Sequence, residues 1–323
     1  MAEPYMGFPS RLPALLGLRH PLVQGGMSWA SSSSALALAV SRAGALGTIA
    51  AGPMRPEALR EAISAVRAGT ESPFAVNVPL YNKRAAEFLD ICAEARVPVL
   101  IASQGSPAPH LARFRALGTR WLHVVASVPH SLKAEAAGVD ALIVVGGEAG
   151  GHPPPDEVST LVLVRAVVRA VRLPVIGAGG VADGAGIAAL FALGAEGAQL
   201  GTRFLLTEEA TVHPAYKMAA LAAGIADTTL VGRGFGPVRQ LRNAFAARVA
   251  AAERAGVPEE QLREMIASRT LRHAALEGDM AESKVEVGQS VGLMEEVLPA
   301  GELVQRLVRE AEAVRRHLCG APA

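Results

Sequence analysis

The chain has 323 residues, half of them hydrophobic and 19% charged, with a formal net charge of +1. A balance this close to neutral, with Lys and Arg dispersed rather than gathered, argues against nucleic acid or an anionic membrane as the main partner. The two cysteines, Cys92 and Cys319, lie far apart with no CxxC or Cys/His spacing, which speaks against a zinc or other metal site and for a reducing, cytoplasmic compartment.

Met1–Gly17 shows no basic segment followed by an apolar core and a cleavage site. The longest apolar runs, such as Ala35–Val40, fall well short of the roughly 18 residues a membrane span needs. From there the chain alternates strand-like and helix-like segments. Strand one is expected over His20–Gln24, ending in Gly25-Gly26-Met27, with a helix from Ser33 to Ala43. The Ser31–Ser34 run is read as that helix's cap. Strand two, Leu46–Ala50, precedes a helix over Arg55–Ala68 with Pro56 in its first turn. Then come Phe74–Val78 and Lys83–Ala95, Val97–Ala102 and Pro109–Leu117, Arg120–Val125 and Pro129–Ala137. Strand six is Ala141–Val145, followed by the Gly-rich run to His152 and a helix over Glu157–Val171. Pro174–Ala178, the helix Gly184–Leu193 and strand eight, Gly197–Leu200, complete the alternation.

Near-continuous apolar strands alternating with helices mark a parallel sheet covered on both faces. Eight such strands point to an α/β fold, a TIM (β/α)8 barrel. A doubly wound open sheet is the alternative, and the lack of a GxGxxG opening the first helix counts against it. From His213 to about Ala281 the pattern reads as helical, with the charged stretches Arg248–Arg254 and Glu259–Arg269. This is expected as a C-terminal helical insertion over the barrel mouth. Gly288–Leu293 and Leu303–His317 are expected as helices returning to the wall. The division expected is a barrel of residues 1–212 and 287–323 with a substrate-covering subdomain of residues 213–286.

In this fold the chemistry collects at the C-terminal ends of the strands. Those ends carry Gln24–Met27, Asn77, Ser103-Gln104-Gly105, Ala126-Ser127, Glu148–His152, Gly179-Gly180 and Gly201-Thr202-Arg203. Two Gly-containing loops after strands seven and eight suit a phosphate held by backbone N–H groups. His152, delivered by a Gly cluster after strand six, is the side chain type that titrates nearest neutral pH and so suits proton transfer. The residues alone leave flavin mononucleotide and a sugar phosphate both open as the ligand. A barrel isomerase or aldolase would need a Lys or paired carboxylates at the strand ends, where only Glu148 stands.

Gln24-Gly25-Gly26-Met27, Phe74-Ala75-Val76-Asn77, Glu148-Ala149-Gly150-Gly151-His152, Pro174–Asp183 and Gln199–Phe204 follow one another in that order. The ordered set resembles the nitronate monooxygenase (2-nitropropane dioxygenase) superfamily, which includes the FMN-dependent enoyl-ACP reductases. The likeness spans nearly the whole chain. It implies a TIM-barrel flavoprotein that binds FMN non-covalently and uses His152 as its acid/base residue. It also implies that Gly25, Gly26, Met27, Asn77, Gly151, Gly179, Gly180, Gly201 and Thr202 surround the FMN. Gln104, Glu148 and Gln199, at strand ends or inside these motifs, complete the expected cofactor-binding set.

Two activities lie within the resemblance. Asp156-Glu157 after His152-Pro153 is similar to many nitronate oxidases, which act on alkyl nitronates with O2. The lysine and aspartate typical of those enzymes at the ends of strands five and six are here Val124 and Val145, and the serine near the return helix is Glu286. Val144–His152, His213–Lys217, Asp227–Thr229 and Val287–Gln289 are similar to the enoyl reductases. That reading implies NAD(P)H as reductant, an enoyl thioester as substrate and acyl carrier protein as partner. The apolar C-terminal helices suggest a homodimer. His110, His123, His130 and His273 carry no motif and are read as surface or core histidines.

Overall fold

The apolar strand segments close into a barrel. In the computed structural model, which describes residues 7–268 and 270–320, eight parallel strands run in the order β1-β8-β7-β6-β5-β4-β3-β2. They are β1 (Leu22–Gln24), β2 (Gly47–Ala50), β3 (Phe74–Pro79), β4 (Val99–Ser103), β5 (Arg120–Val125), β6 (Ala141–Val145), β7 (Val175–Ala178) and β8 (Gly197–Leu200). Arg269, expected at the end of a charged helix, lies outside the described residues. Among the described residues no helix is long and apolar enough to cross a membrane.

The seam between β1 and β2 is closed by a single bridge, Val23 to Leu46. Gln24 reinforces it: its fully buried side chain accepts a hydrogen bond from the Thr48 amide at 2.8 Å and donates to the Gly25 carbonyl. A buried amide satisfied on both sides is stabilising, whereas one left unpaired would cost about 1–3 kcal/mol.

Alternation along the strands separates two cores. Val23, Ala75, Ile101, Leu122, Ile143 and Ile176 fill the barrel interior with Leu12, Leu16 and Leu18. Those leucines belong to the helix Leu12–Leu16 and its exit, which plug the barrel floor. The sequence reading assigned no element there, although Pro13 at the first turn and Gly17 past the end mark a helix's limits. Outward-facing Val76, Leu100, Trp121 and Val144 meet the surrounding helices in a second, larger core.

The short helix Thr202–Leu205 follows β8 but does not cover the wall. That place is taken by the long helix Ala300–Leu318, which packs between Ser34–Arg42 and Gly184–Ala192. Its apolar face, Leu303, Val304, Leu307, Val308 and Ala311, is buried at helical spacing. The chain between lies over the barrel mouth and is not helical throughout. Besides the helices Pro214–Leu221, Ala244–Arg254 and Glu259–Ser268 it holds an antiparallel hairpin, β9 (Thr228–Val231) and β10 (Val238–Leu241). Thr-Thr-Leu-Val followed by the Gly-rich run Gly232–Gly236 is a strand-and-turn signature, so the helical expectation is corrected there. His273–Glu277 forms a single π turn and Gln289–Leu293 a 3-10 turn rather than an α-helix.

The serine run is corrected too. Ser33 precedes the helix without a side-chain cap bond. Ser31 Oγ instead accepts from the Met27 amide at 2.9 Å, and Ser32 Oγ donates to the Ala50 carbonyl at 2.8 Å. The run therefore ties the loop after β1 to the end of β2.

Helix Ser34–Arg42 sits so close to β2 that a Cβ on Gly47 would overlap the Ala37 carbonyl and backbone. Gly47→Ala is expected to destabilise the fold by about 1–3 kcal/mol, because backbone rather than a movable side chain blocks the space. Urea unfolding of variant and parent checks this, and equal midpoints would contradict it.

Candidate active site

The C-terminal ends of the strands open into a cavity of about 1220 Å³. A drug-sized ligand typically needs about 300–1,000 Å³, so there is room for two molecules in contact. Twelve of the thirteen expected site residues line it: Gly25, Gly26, Met27, Asn77, Gln104, Gly151, His152, Gly179, Gly180, Gln199, Gly201 and Thr202. Glu148 is the exception: its carboxylate accepts hydrogen bonds from Thr160 N and Thr160 Oγ1, both at 2.8 Å. It thereby satisfies the first turn of the helix Thr160–Ala170 and lines a smaller neighbouring hollow with Gly179 and Gly180.

The wall under the β1 loop is bare backbone. A Cβ on Gly26 would come within 2.7 Å of the Asn77 side chain, whose Nδ2 donates to the Ile101 carbonyl at 3.2 Å. Asn77 is thus held across β3 and β4 rather than capping a turn. On the other side Gly179 and Gly180 take φ values of 102° and 73°, in the left-handed region that suits glycine. Thr202 Oγ1 accepts from the Gly288 amide at 2.9 Å, which fixes that hydroxyl at the cavity edge.

The loop that carries His152 is clamped from three directions. Glu148 holds its base to Thr160. The Gln289 amide donates to the Glu148 carbonyl at 2.9 Å, and a Cβ on Gly150 would come within 2.6 Å of Val287 backbone. From above, β10 pairs with it: Gly151 N donates to Arg239 O at 3.1 Å and Arg239 N to Gly151 O at 2.7 Å. The Arg239 side chain, 7% exposed, then grips the loop's start, with Nε and Nη2 both donating to the Gly147 carbonyl at 3.1 and 2.9 Å. Nη1 donates to Thr228 Oγ1 on the paired strand. At the hairpin tip Arg233 meets Glu157 at 2.8 Å. The imidazole of His152 is exposed to the cavity and makes no hydrogen bond among the described residues, so its nitrogens are free for a ligand.

Several groups in the cavity lay outside the sequence reading. His123, a core position, and His130, a surface one, both line it. The His123 ring, on an outward-facing position of β5, is buried and held down to about 4, mainly by burial, with the His130 charge acting in the same direction. Tyr216, fully buried, donates its hydroxyl to the Glu286 carbonyl at 3.0 Å. His213 and Lys217 are structural: His213 Nδ1 accepts from Ala215 N at the start of the helix Pro214–Leu221, and Lys217 Nζ donates to the Thr207 carbonyl at 2.6 Å. Among the described residues, the charged ones lining the cavity are Lys133, Arg272, Lys284 and Glu286. Val124 and Val145 give it an apolar stretch at the ends of β5 and β6.

With this geometry in hand, comparison with known proteins is specific. A family profile described as nitronate monooxygenase matches residues 9–95 and 84–310. A Rhodococcus jostii protein, (3aS,4S,5R,7aS)-5-hydroxy-7a-methyl-1-oxo-octahydro-1H-indene-4-carboxyl-CoA dehydrogenase, is 38% identical over 219 residues, covering 68% of this chain and 61% of the relative. The nitronate monooxygenase of Paraburkholderia phytofirmans is 33% identical, with 92% of this chain and 93% of the relative aligned. Among solved structures, FabK from Thermotoga maritima superimposes with a TM-score of 0.91 at 42% identity, covering 97% of this chain and 99% of that one.

Two predictions follow from the clamp and the buried ring. Arg239→Met leaves the Gly147 carbonyl without its charged donors, at a cost of about 1.5–3 kcal/mol. Amide hydrogen exchange should quicken over residues 147–152 while β3–β5 stay protected; unchanged exchange in the loop would contradict the clamp. For His123, the folded protein stays neutral down to about 4 while the unfolded chain takes up a proton below 6.5. The unfolded state binds more protons in that window, so stability falls as pH drops from 6.5 towards 4. His123→Gln should flatten that part of the stability profile, and an unaltered slope would refute the assignment.

Proposed function

The chain belongs to the nitronate monooxygenase family and is an oxidoreductase, and from that premise we propose that it binds FMN and reduces the α,β double bond of an acyl thioester, with NAD(P)H as reductant. The observation that carries this reading is the cavity's distribution of charge. Among the described residues the lining that includes the apolar positions Val124 and Val145 carries three cations, Lys133, Arg272 and Lys284, against one carboxylate, Glu286. Such a net positive lining suits phosphorylated molecules, and both a pyridine nucleotide and a phosphopantetheine carrier, on CoA or on acyl carrier protein, bear phosphates. The Rhodococcus relative, named for a carboxyl-CoA substrate, supports the thioester class.

The residues present fit FMN. Gly179 and Gly180, in left-handed conformations, and the Thr202 hydroxyl line the same cavity and offer donors to a phosphate. The backbone of Gly25 and Gly26, with Met27 and Asn77, offers a flat wall to a ring system, and Gln104 and Gln199 add amide contacts. When bound, FMN supplies the two-electron redox chemistry. The protein's task is then to orient the thioester and manage one proton. His152 donates that proton to the α-carbon as hydride arrives at the β-carbon, which completes the saturated product. Residues 213–286 cover the substrate over a barrel of residues 1–212 and 287–323 and limit water's access to the reacting carbons.

A second reading, oxidation of alkyl nitronates or nitroalkanes with O2, draws on the Paraburkholderia relative and its near full-length match. There His152 would remove the α-proton of a neutral nitroalkane or orient the nitronate. Both readings give His152 the acid/base role.

His152→Ala is expected to retain FMN, released and identified after denaturation, and to lower kcat/KM for a crotonyl thioester by roughly 10²-fold or more. An unchanged kcat/KM with every active substrate would refute the role of His152.

A further inference from the structure

Residues 284–288 run along the cavity without helix or strand, and alternate burial divides two apolar side chains from two charged ones. Val285 and Val287 are buried at 1% and 0% exposure, while Lys284 and Glu286 line the cavity. The segment is fixed at several points. Val285 O accepts from Leu241 N at 2.8 Å, Glu286 O accepts from Tyr216 Oη at 3.0 Å, and Gly288 N donates to Thr202 Oγ1. Glu286 is therefore aimed by its backbone. Its carboxylate Oε2 stands 3.2 Å from where a Cβ on Gly151 would be, immediately before His152 in the chain. The carboxylate makes no hydrogen bond or ion pair among the described residues. Its charge is felt by the phenols of Tyr81 and Tyr216, which burial first and Glu286 second hold above their ordinary range.

An unpaired carboxylate against the residue that precedes His152 acts on whatever enters. A nitronate carries its full negative charge on the reacting group, whereas the enone end of a thioester is neutral and its phosphates lie far along the carrier. Two like charges within a few ångströms in a half-desolvated cleft repel substantially. We propose that Glu286 is a specificity determinant that disfavours anionic substrates at the reacting position and admits neutral acyl thioesters, so that this chain discriminates against nitronates by charge. It builds repulsion against the wrong substrate into the wall. The inference rests on the proposed function in placing the substrate's reacting group beside His152.

The test compares one carbon skeleton in two charge states. Proton exchange at carbon is slow, so ethylnitronate and nitroethane can be presented to the holoenzyme at one pH. Their Kd values are measured anaerobically by calorimetry for the parent, Glu286→Gln, Glu286→Ser and Glu286→Asp. The expected result is that Gln and Ser tighten nitronate binding relative to nitroethane by about tenfold or more, while Asp, which keeps the charge, preserves the parent ratio. Added salt should narrow the parent's preference for the neutral form. A nitronate-to-nitroethane ratio that stays the same in Gln and Ser as in the parent would overturn the proposal. Retained activity in His152→Ala would instead overturn the reading on which it rests, whatever Glu286 does.

Discussion

The position of His152 depends on a fork of hydrogen bonds made by a residue outside the barrel. Arg239 reaches down from β10, and its guanidinium converges on one carbonyl, Gly147 O, while its own backbone pairs with Gly151. A Gly-rich loop gains close approach to a ligand but loses intrinsic order, because each glycine pays a large conformational entropy on folding. The clamp supplies that order from a buried, charge-assisted donor rather than from the loop's own side chains. Consequently the inserted hairpin and the barrel are one functional object. The insertion contributes residues to the cavity lining and holds the loop that carries His152.

The same division of labour explains Glu148. A carboxylate at a strand end in a cavity-lining motif reads naturally as a ligand contact. In the folded chain the amide and hydroxyl of Thr160 compete for it and win, since a helix N-terminus offers unsatisfied donors at no rearrangement cost. Ser31 and Ser32 show the converse, as they serve the loop after β1 instead of the helix they adjoin. Short polar side chains near a site are recruited by whichever backbone group lies nearest in space, which spacing along the chain does not encode.

The barrel was legible because burial on both faces leaves uninterrupted apolar runs, and strands such as Ala141–Val145 match their expected limits. That the glycines and His152 line the cavity was legible because the fold class opens its cavity at the strand ends. The hairpin was hidden by alanine-rich, charged neighbours that suggested helix on either side of Thr228–Leu241. His123 was hidden because it points outward on β5, where strand alternation places residues in the outer core rather than at the strand ends. Arg239 was hidden because its partners, Gly147 and Thr228, stand 92 and 11 residues away. Glu286 could be noticed only as a departure from a family pattern; the folded chain adds that it sits against Gly151 with its carboxylate unpaired.

Among the described residues the cavity lining combines three cations, Lys133, Arg272 and Lys284, with the carboxylate of Glu286 and the apolar Val124 and Val145. The most direct test is anaerobic stopped-flow of the flavin-loaded protein, mixed separately with NADH, NADPH and a nitronate. The account predicts that a pyridine nucleotide bleaches the visible flavin absorbance and that a crotonyl thioester restores it, while nitronate does neither. Bleaching by nitronate alone, or a purified protein that takes up no flavin, would contradict it.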